Sequence, residues 1–310
     1  MVTELDRPAL PKGAANCHAF NSERFASLNG AKARRVSFLA VGEKKPKLWL
    51  TAGLRDGEWR SPFSAPYGGW AGMPDVSQRA MCDAARDLRQ WAEERGEPLR
   101  VGLPPLVYDE TFLTKSLYAL RREGRVALMQ PDYYFLLSDF ADYEAHMSSA
   151  ARNKLANAAR HPFLFEAFPK AGADELARAY AVVERNRAER GYPLAMSLEA
   201  VEATSRIMPI DAFTLSLEGN DAAAALVFRV LPDVGLVVYW GNTAESNDIR
   251  AMNMLAYKVF EHYHREGRLR LLDIGPSDLD GEPNLGLMEF KESIGCRVSP
   301  RFTILLGETE

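Results

Sequence analysis

Cysteine, histidine and long apolar runs are all scarce in this chain, and each scarcity removes a class of function. Only three cysteines occur, Cys17, Cys82 and Cys296. They form no CxxC pair and leave an odd count, so reduced thiols are expected rather than a disulfide framework. His262 and His264 lie two apart and would leave a helix in different directions, and no HExxH or paired CxxC spacing occurs elsewhere. No metal site is expected. The most apolar stretch, Ala222 to Leu231, is too short to span a bilayer and carries Arg229 near its end. The opening MVTELDRPALPKG is polar and lacks the apolar core of a signal peptide. A soluble, cytoplasmic chain with no membrane partner is the resulting expectation. Phosphate-loop, GxGxxG and GxSxG motifs are also missing. Nucleotide hydrolysis, dinucleotide redox chemistry and the commonest serine hydrolase therefore have no support. The net charge of -4 argues against a general nucleic-acid coat while leaving room for a local basic patch.

What is present suffices for a sizeable core: 310 residues, 47% of them hydrophobic. That length predicts about two domains. Strands are expected at Cys17 to Phe20, Val36 to Val41 and Lys47 to Ala52, then an aromatic loop, WRSPFSAPYGGW, from Trp59 to Trp70. Tyr67 and Trp70 in that loop either wall a ligand site or pin a long hairpin connection. A helix over Asp75 to Glu94, a strand Arg100 to Leu103, a helix Glu110 to Glu123 and a strand-like stretch Arg125 to Ser138 complete a first half. The second half repeats this order. Helices are expected near 148–160, 174–190 and 198–207, with a strand over 161–168. Strands at 212–217, 222–231 and 235–240 then lead to a helix over Arg250 to Arg265. A strand ending at Ile274, a helix from Leu285 and a strand Val298 to Leu306 close the chain. The fold class is α+β, with the division placed at residues 1–145 and 146–310; no stretch of identical residues repeats, and the duplication rests on element order alone.

The chain is organised around Asp273 to Gly295. The apolar run Leu269, Leu271, Leu272, Ile274 stops at Gly275-Pro276, which puts Asp273 at a strand end. Asn284 is placed to cap a helix from Leu285, on which Leu287, Phe290 and Ile294 form one apolar stripe. Lys291 falls on the border of that stripe. It is either a snorkelling lysine or a fixed charge at a cleft edge, suited to holding a phosphate or steadying an oxyanion.

Asn-x-Gly-Leu, a Phe-Lys pair and a following glycine, here Asn284, Gly286, Leu287, Phe290, Lys291 and Gly295, resemble the C-terminal signature of the Fem family of aminoacyl transferases and its GNAT-like relatives. Where that motif often ends in Phe-Gly, this chain has Ile294-Gly295. The resemblance covers mainly residues 145 to 306. It implies two tandem GNAT-like domains, each a mixed, mostly antiparallel sheet flanked by helices. It also implies a catalytic Lys291 held by the Phe290 ring, and an aminoacyl-tRNA donor. Arg152, Asn153 and Ala158 resemble a helix of the family, and Arg190-Gly191 its arginine-glycine turn.

Acyl transfer to an amine asks only that an activated ester or thioester be set beside the nucleophile and the oxyanion be stabilised. Asp273 could orient Lys291 or take the amine's proton, or it could be a plain turn carboxylate. Trp240 and Tyr239 shape a pocket floor or are simply core. Arg152, Lys154 and Arg160 on one helix, and Arg185, Arg187 and Arg190 at the end of the next, contact phosphates or lie on solvated helix faces. GNAT enzymes bind the pyrophosphate of acetyl-CoA at a Gly-rich strand-to-helix turn; the matching stretch here, Tyr239 to Asn253, has Gly241 but no Arg/Gln-x-x-Gly-x-Gly/Ala turn. The expected activity is thus transfer of an aminoacyl or acyl group from aminoacyl-tRNA or acyl-CoA, a co-substrate and not a tightly bound cofactor. The acceptor is a small-molecule or peptide amine, possible cell-wall precursors included. The alternatives are a binding module without chemistry and an acetyl-CoA-dependent N-acetyltransferase.

Overall fold

The computed structural model describes residues 1–7, 13–42, 45–279 and 281–308. By its contacts the chain forms two compact units, Met1–Pro131 with Ser299–Glu310, and Asp132–Val298. The division at Pro131 precedes the position 145 expected from sequence, because the second unit begins inside a strand and not in a linker.

In the first unit β1 (Val2–Leu5), β2 (Arg35–Val41), β3 (Leu48–Arg55) and β4 (Glu58–Ser61) pair antiparallel in order, and β5 (Ala71–Gly72) adds to β3. Helix α1 (Glu23–Asn29) precedes β2, and α2 (Gln78–Glu93) carries the chain to β6 (Leu99–Gly102), which lies parallel to β4. Strand β3 is buried along nearly its whole length, as a central strand covered on both faces is, and the α2 stripe Met81, Ala84, Ala85, Leu88, Trp91 and Ala92 is buried as its spacing requires. After α3 (Glu110–Glu123) comes β7 (Gly124–Leu136), in which the chain leaves the unit. The expected strand Cys17 to Phe20 is instead extended chain leading into a 3-10 turn, Ala19–Asn21. Phe20 there packs edge-on against Phe25 and Tyr67, so its apolar character serves a turn's packing and not a sheet ladder.

The second unit starts with the end of β7. After α4 (Tyr143–His146) and α5 (Ser149–Ala158) come β8 (Leu164–Phe168), α6 (Ala173–Arg190), α7 (Leu198–Ser205), β9 (Ile210–Leu217), β10 (Asn220–Leu231) and β11 (Val234–Asn242). Helix α8 (Ala251–Glu266) then crosses to β12 (Leu271–Pro276), parallel to β11. The hairpin β13 (Asp278–Leu279) and β14 (Glu282–Pro283) leads to α9 (Leu285–Ser293). The sheet runs β8-β9-β10-β11-β12, with Asp132 to Leu136 of β7 on its far edge. Its core joins Phe135, Phe213, Leu255, Val259, Phe260 and Tyr263, with Phe135 stacked on Phe260 at 4.0 Å.

Each unit is therefore a mostly antiparallel sheet with one parallel pair bridged by a helix, an α+β architecture repeated in tandem. The last strand, β15 (Arg297–Leu306), follows α9 but pairs with β6 of the first unit, Thr303 opposite Gly102 and Leu306 opposite Leu99. The end of β7, following α3, pairs with β12 of the second. Each sheet is completed by the strand that follows the other unit's final helix.

Candidate functional site

Strand β11 has an extra residue, Val238, opposite the step from Leu226 to Val227 of β10. A bulge of this kind bends and twists its strand. Pairing of β11 with β12 stops early, at Leu236 with Asp273. Beyond that point the two parallel strands have no ladder bonds between them, and a cavity of about 530 Å³ lies around the end of β11. Trp240, Gly241 and Asn242 line it, together with Asn247, Arg250, Met252 and Asn253 at the start of α8. Helix α9 contributes Asn284, Gly286, Leu287 and Phe290; α6 and the turn after it contribute Asn186, Arg187, Arg190 and Tyr192; α5 contributes Lys154. Crevices at strand C-termini flanked by helix N-termini are the usual ligand positions of α/β sheets.

Local chemistry explains how these elements are aimed. Gly241 has no side chain because Asn186 occupies the space: a Cβ there would lie 2.6 Å from the Asn186 carboxamide. Asn186 donates 2.7 Å to the Asn242 carbonyl, which fastens the last turns of α6 to the strand end. That helix stops at Gly191, whose φ of +69° is the left-handed conformation a glycine adopts without a Cβ clash. Asn242 in turn donates to the Thr243 carbonyl, Ser246 and Asn247, ordering the turn into α8. Asn284 caps α9 as its position in the sequence implies, accepting 3.1 Å from the Leu287 N–H.

The electrostatics of the lining have one sign. Lys154, Arg187, Arg190 and Arg250 are its charged residues, and no carboxylate or imidazole accompanies them. Trp240 and Phe290 meet edge-to-face at 6.0 Å, and the Arg187 guanidinium stands 6.0 Å from the centre of the Tyr192 ring. Such a surface attracts an anion and offers flat faces to an aromatic or apolar group.

Of the residues singled out in the sequence, Trp240, Asn284, Phe290 and Lys154 come together here. Lys291, one residue on from Phe290, is not part of the lining. Its side chain is buried, 1% exposed, and the ammonium donates to the carbonyls of Gly275 at 2.7 Å and Pro276 at 3.0 Å, over the Tyr133 ring at 5.2 Å. Expected either to snorkel to water or to sit at a cleft edge, the charge instead points inward, onto the two carbonyls at the end of β12. Asp273 is equally buried and accepts 2.7 Å from the Gly275 N–H, closing the turn that offers those carbonyls. Tyr239 is core: its hydroxyl accepts from the Met196 N–H at 3.0 Å, and burial pushes its phenol upward. Arg152 bonds the Glu144 and Met147 carbonyls, closing the turn before α5. Tyr67 and Trp70 belong to the first unit's interior, where Tyr67 pairs with the Tyr108 hydroxyl at 2.8 Å and Trp70 donates to Ser116 at 2.8 Å.

The cavity also gathers residues that the sequence did not mark as site residues, Asn186, Tyr192, Asn242, Asn247, Arg250 and Asn253, beside Arg187 and Arg190, which it offered either as phosphate contacts or as a solvated helix face. The density of asparagines around the β11–α8 turn was the available signal, masked by the missing glycine-rich motif. Among the described residues, no group of three or more His, Cys, Asp or Glu could hold a metal, and no helix is long and apolar enough to cross a membrane.

No family model matches the sequence. No curated protein matches it either. Solved structures do. FemX superposes with a TM-score of 0.65 over 96% of this chain and 94% of its own, at 14% identity. The chain has the Fem-type, tandem GNAT-like fold. L-PGS from Bacillus licheniformis shares it with a TM-score of 0.58 over 89% of this chain and 85% of its own, at 11% identity. A tandem GNAT protein from the clavulanic acid biosynthesis pathway aligns with a TM-score of 0.51 over 89% and 84%, at 13% identity.

Proposed function

We propose that the protein is an acyltransferase that binds an activated, phosphate-bearing donor in the cavity at the end of β11 and passes its acyl or aminoacyl group to an amine. The observation that carries this reading is the lining itself, in a Fem-type fold: cations and aromatic rings with no carboxylate among them. Aminoacyl-tRNA and acyl-CoA share the chemistry such a lining selects, an adenosine ring and phosphates on the molecule that carries the reactive carbonyl. Trp240 and Phe290 offer the stacking faces, and Lys154, Arg190 and Arg250 offer charge to the phosphates.

In the reaction the amine nitrogen bonds to the carbonyl carbon. The carbon–oxygen or carbon–sulfur bond breaks, and the departing hydroxyl or thiol ends with the amine's proton. Oxyanion stabilisation falls to the N–H donors and cations of the lining. Lys291 and Asp273 act at one remove, as positioning residues: they fix the end of β12 and the base of α9, and so the places of Asn284 and Phe290.

The test is an acyl-transfer assay on the full chain with a panel of acyl-CoAs and charged tRNAs and a mixture of small and peptide amines, cell-wall precursor peptides included, read by mass spectrometry. Amide product that disappears in Trp240→Ala with the fold intact supports the reading, and the productive donor separates tRNA from coenzyme A. Donor binding without turnover for any pair would instead favour a binding module, a second reading supported by the inward orientation of Lys291.

A further inference from the structure

A second hollow, of about 440 Å³, lies in the first unit and is lined by Arg34, Arg35, Leu54, Trp59, Arg95 and Glu97. It sits where β4 begins and where the chain turns from α2 into β6, at the amino ends of that unit's parallel pair. Ligands of such sheets sit at the carboxyl ends, so the architecture does not account for this hollow. Three of its six lining residues are arginines, in a chain whose net charge is -4. The carboxylates that meet them are already engaged. Glu4 of β1 accepts from Arg35, from Arg95 at 2.9 Å and from the Ser37 hydroxyl at 3.2 Å. Glu97, the acid of the lining, accepts from the Trp59 indole at 2.8 Å. Arg34 is exposed, and its guanidinium has no partner among the described residues. Three guanidinium groups thus stand against two carboxylates.

We infer that this hollow binds the phosphoryl group of a small molecule, with Arg35 and Arg95 as its contacts and Arg34 adding charge at the rim. Glu4 is the positioning residue, since its one carboxylate holds two guanidinium groups close together. Flat faces fix them further: Arg35 stands 5.9 Å from the centre of the Trp59 ring and Arg95 4.4 Å from that of Trp91. Arg95 spends its terminal nitrogens on Glu4 and, at 3.1 Å, on the Trp91 carbonyl, while Arg35 spends only Nη2. The Nε–H of both and Nη1 of Arg35 have no acceptor among the described residues, and a guanidinium only donates, so the ligand must accept. The group it presents follows from the charge count. A carboxylate brings one charge and two oxygens, and Glu4 shows one such group fully used by a pair of arginines and a hydroxyl. A phosphoryl group brings more charge and a third oxygen, which matches the unspent donors of Arg35 and Arg95 and the unpaired Arg34. Leu54 and Trp59 give the hollow an apolar wall, and its volume is that of a small-molecule site. This site is separate from the cavity at the end of β11 and does not rest on acyl transfer.

The experiment titrates the isotopically labelled full chain with inorganic pyrophosphate and, separately, with succinate, following the tryptophan indole N–H signals by NMR. Trp59→Phe and Trp240→Phe identify the signals that report on the two cavities. Pyrophosphate is expected to give a saturable shift of the Trp59 signal that weakens at raised salt, and succinate to bind there far more weakly. Arg35→Gln and Arg95→Gln are each expected to weaken pyrophosphate by about tenfold, the loss of one charge-assisted contact. Arg34→Gln breaks no bond of the protein and is expected to weaken it by about threefold. Arg265→Gln removes the same charge from an exposed position of the second unit and is expected to bind as the parent does. The melting temperature of each variant without ligand shows that it is folded. No saturable shift of the Trp59 signal, a shift of the Trp240 signal alone, succinate binding as tightly as pyrophosphate, or parent affinity in both Arg34→Gln and Arg95→Gln would overturn the inference.

Discussion

His18 shows how far a single buried side chain can set the behaviour of a unit. Its ring is 1% exposed, edge-on to Tyr67 at 5.0 Å, with Nε2 against the Gly68 carbonyl at 3.1 Å. Burial pushes the imidazole down from 6.5 to about 4. The unfolded chain thus takes up a proton near 6.5 that the folded chain refuses until about 4. Stability is whole above 6.5, falls as pH drops through this interval and levels off below it, by about 3 kcal/mol in all. Urea midpoints between pH 7.5 and 4 should show that slope, and His18→Gln should flatten it; an equal slope in both proteins would assign it to other groups. Lys291 is the residue of the second unit with comparable leverage. Lys291→Met keeps the stem but leaves the Gly275 and Pro276 carbonyls without their donor, for an expected loss of about 2 kcal/mol in denaturant unfolding. An unchanged midpoint would mean that the clamp contributes nothing.

Among the elements, α6 and β11 depend most on one another. Gly241→Ala places a methyl group 2.6 Å from the Asn186 carboxamide, so the helix end must move or the strand must bend. A loss of about 1–3 kcal/mol is expected in denaturant unfolding. The double variant Asn186→Ala with Gly241→Ala makes room for the methyl and should melt higher than Gly241→Ala alone; a lower melting temperature would show that the close approach is not what the glycine serves. Helices α8 and α9 were legible beforehand because their signals are local: an apolar stripe, an asparagine cap, a glycine stop. The same locality explains the misreading of Cys17 to Phe20. Phe20 is buried by Phe25 and Tyr67, neighbours that no short window of sequence contains.

At the scale of the whole chain, the exchange of final strands makes a specific prediction. Residues 299–310 follow the second unit in sequence but belong by contact to the first. Deleting them removes the partner of Leu99 to Gly102 and the Phe302 carbonyl that receives the Leu103 N–H. Hydrogen exchange should then show lost protection across β6 and the first unit, with β9, β10 and β11 still protected. Loss confined to β10 and β11 would contradict the assignment. The amino-acid order alone determined most of the longer elements, the α+β class, the tandem repetition and the capped helix after Asp273, since capping, turns and periodicity act between residues a few positions apart. Tertiary structure decided where the charges go. Whether Lys291 faces a cavity or a strand's carbonyls, and which residues of α6 and α8 line one cavity, depends on where the β11–β12 ladder ends and how α6 seats on Gly241, contacts between segments far apart in the chain.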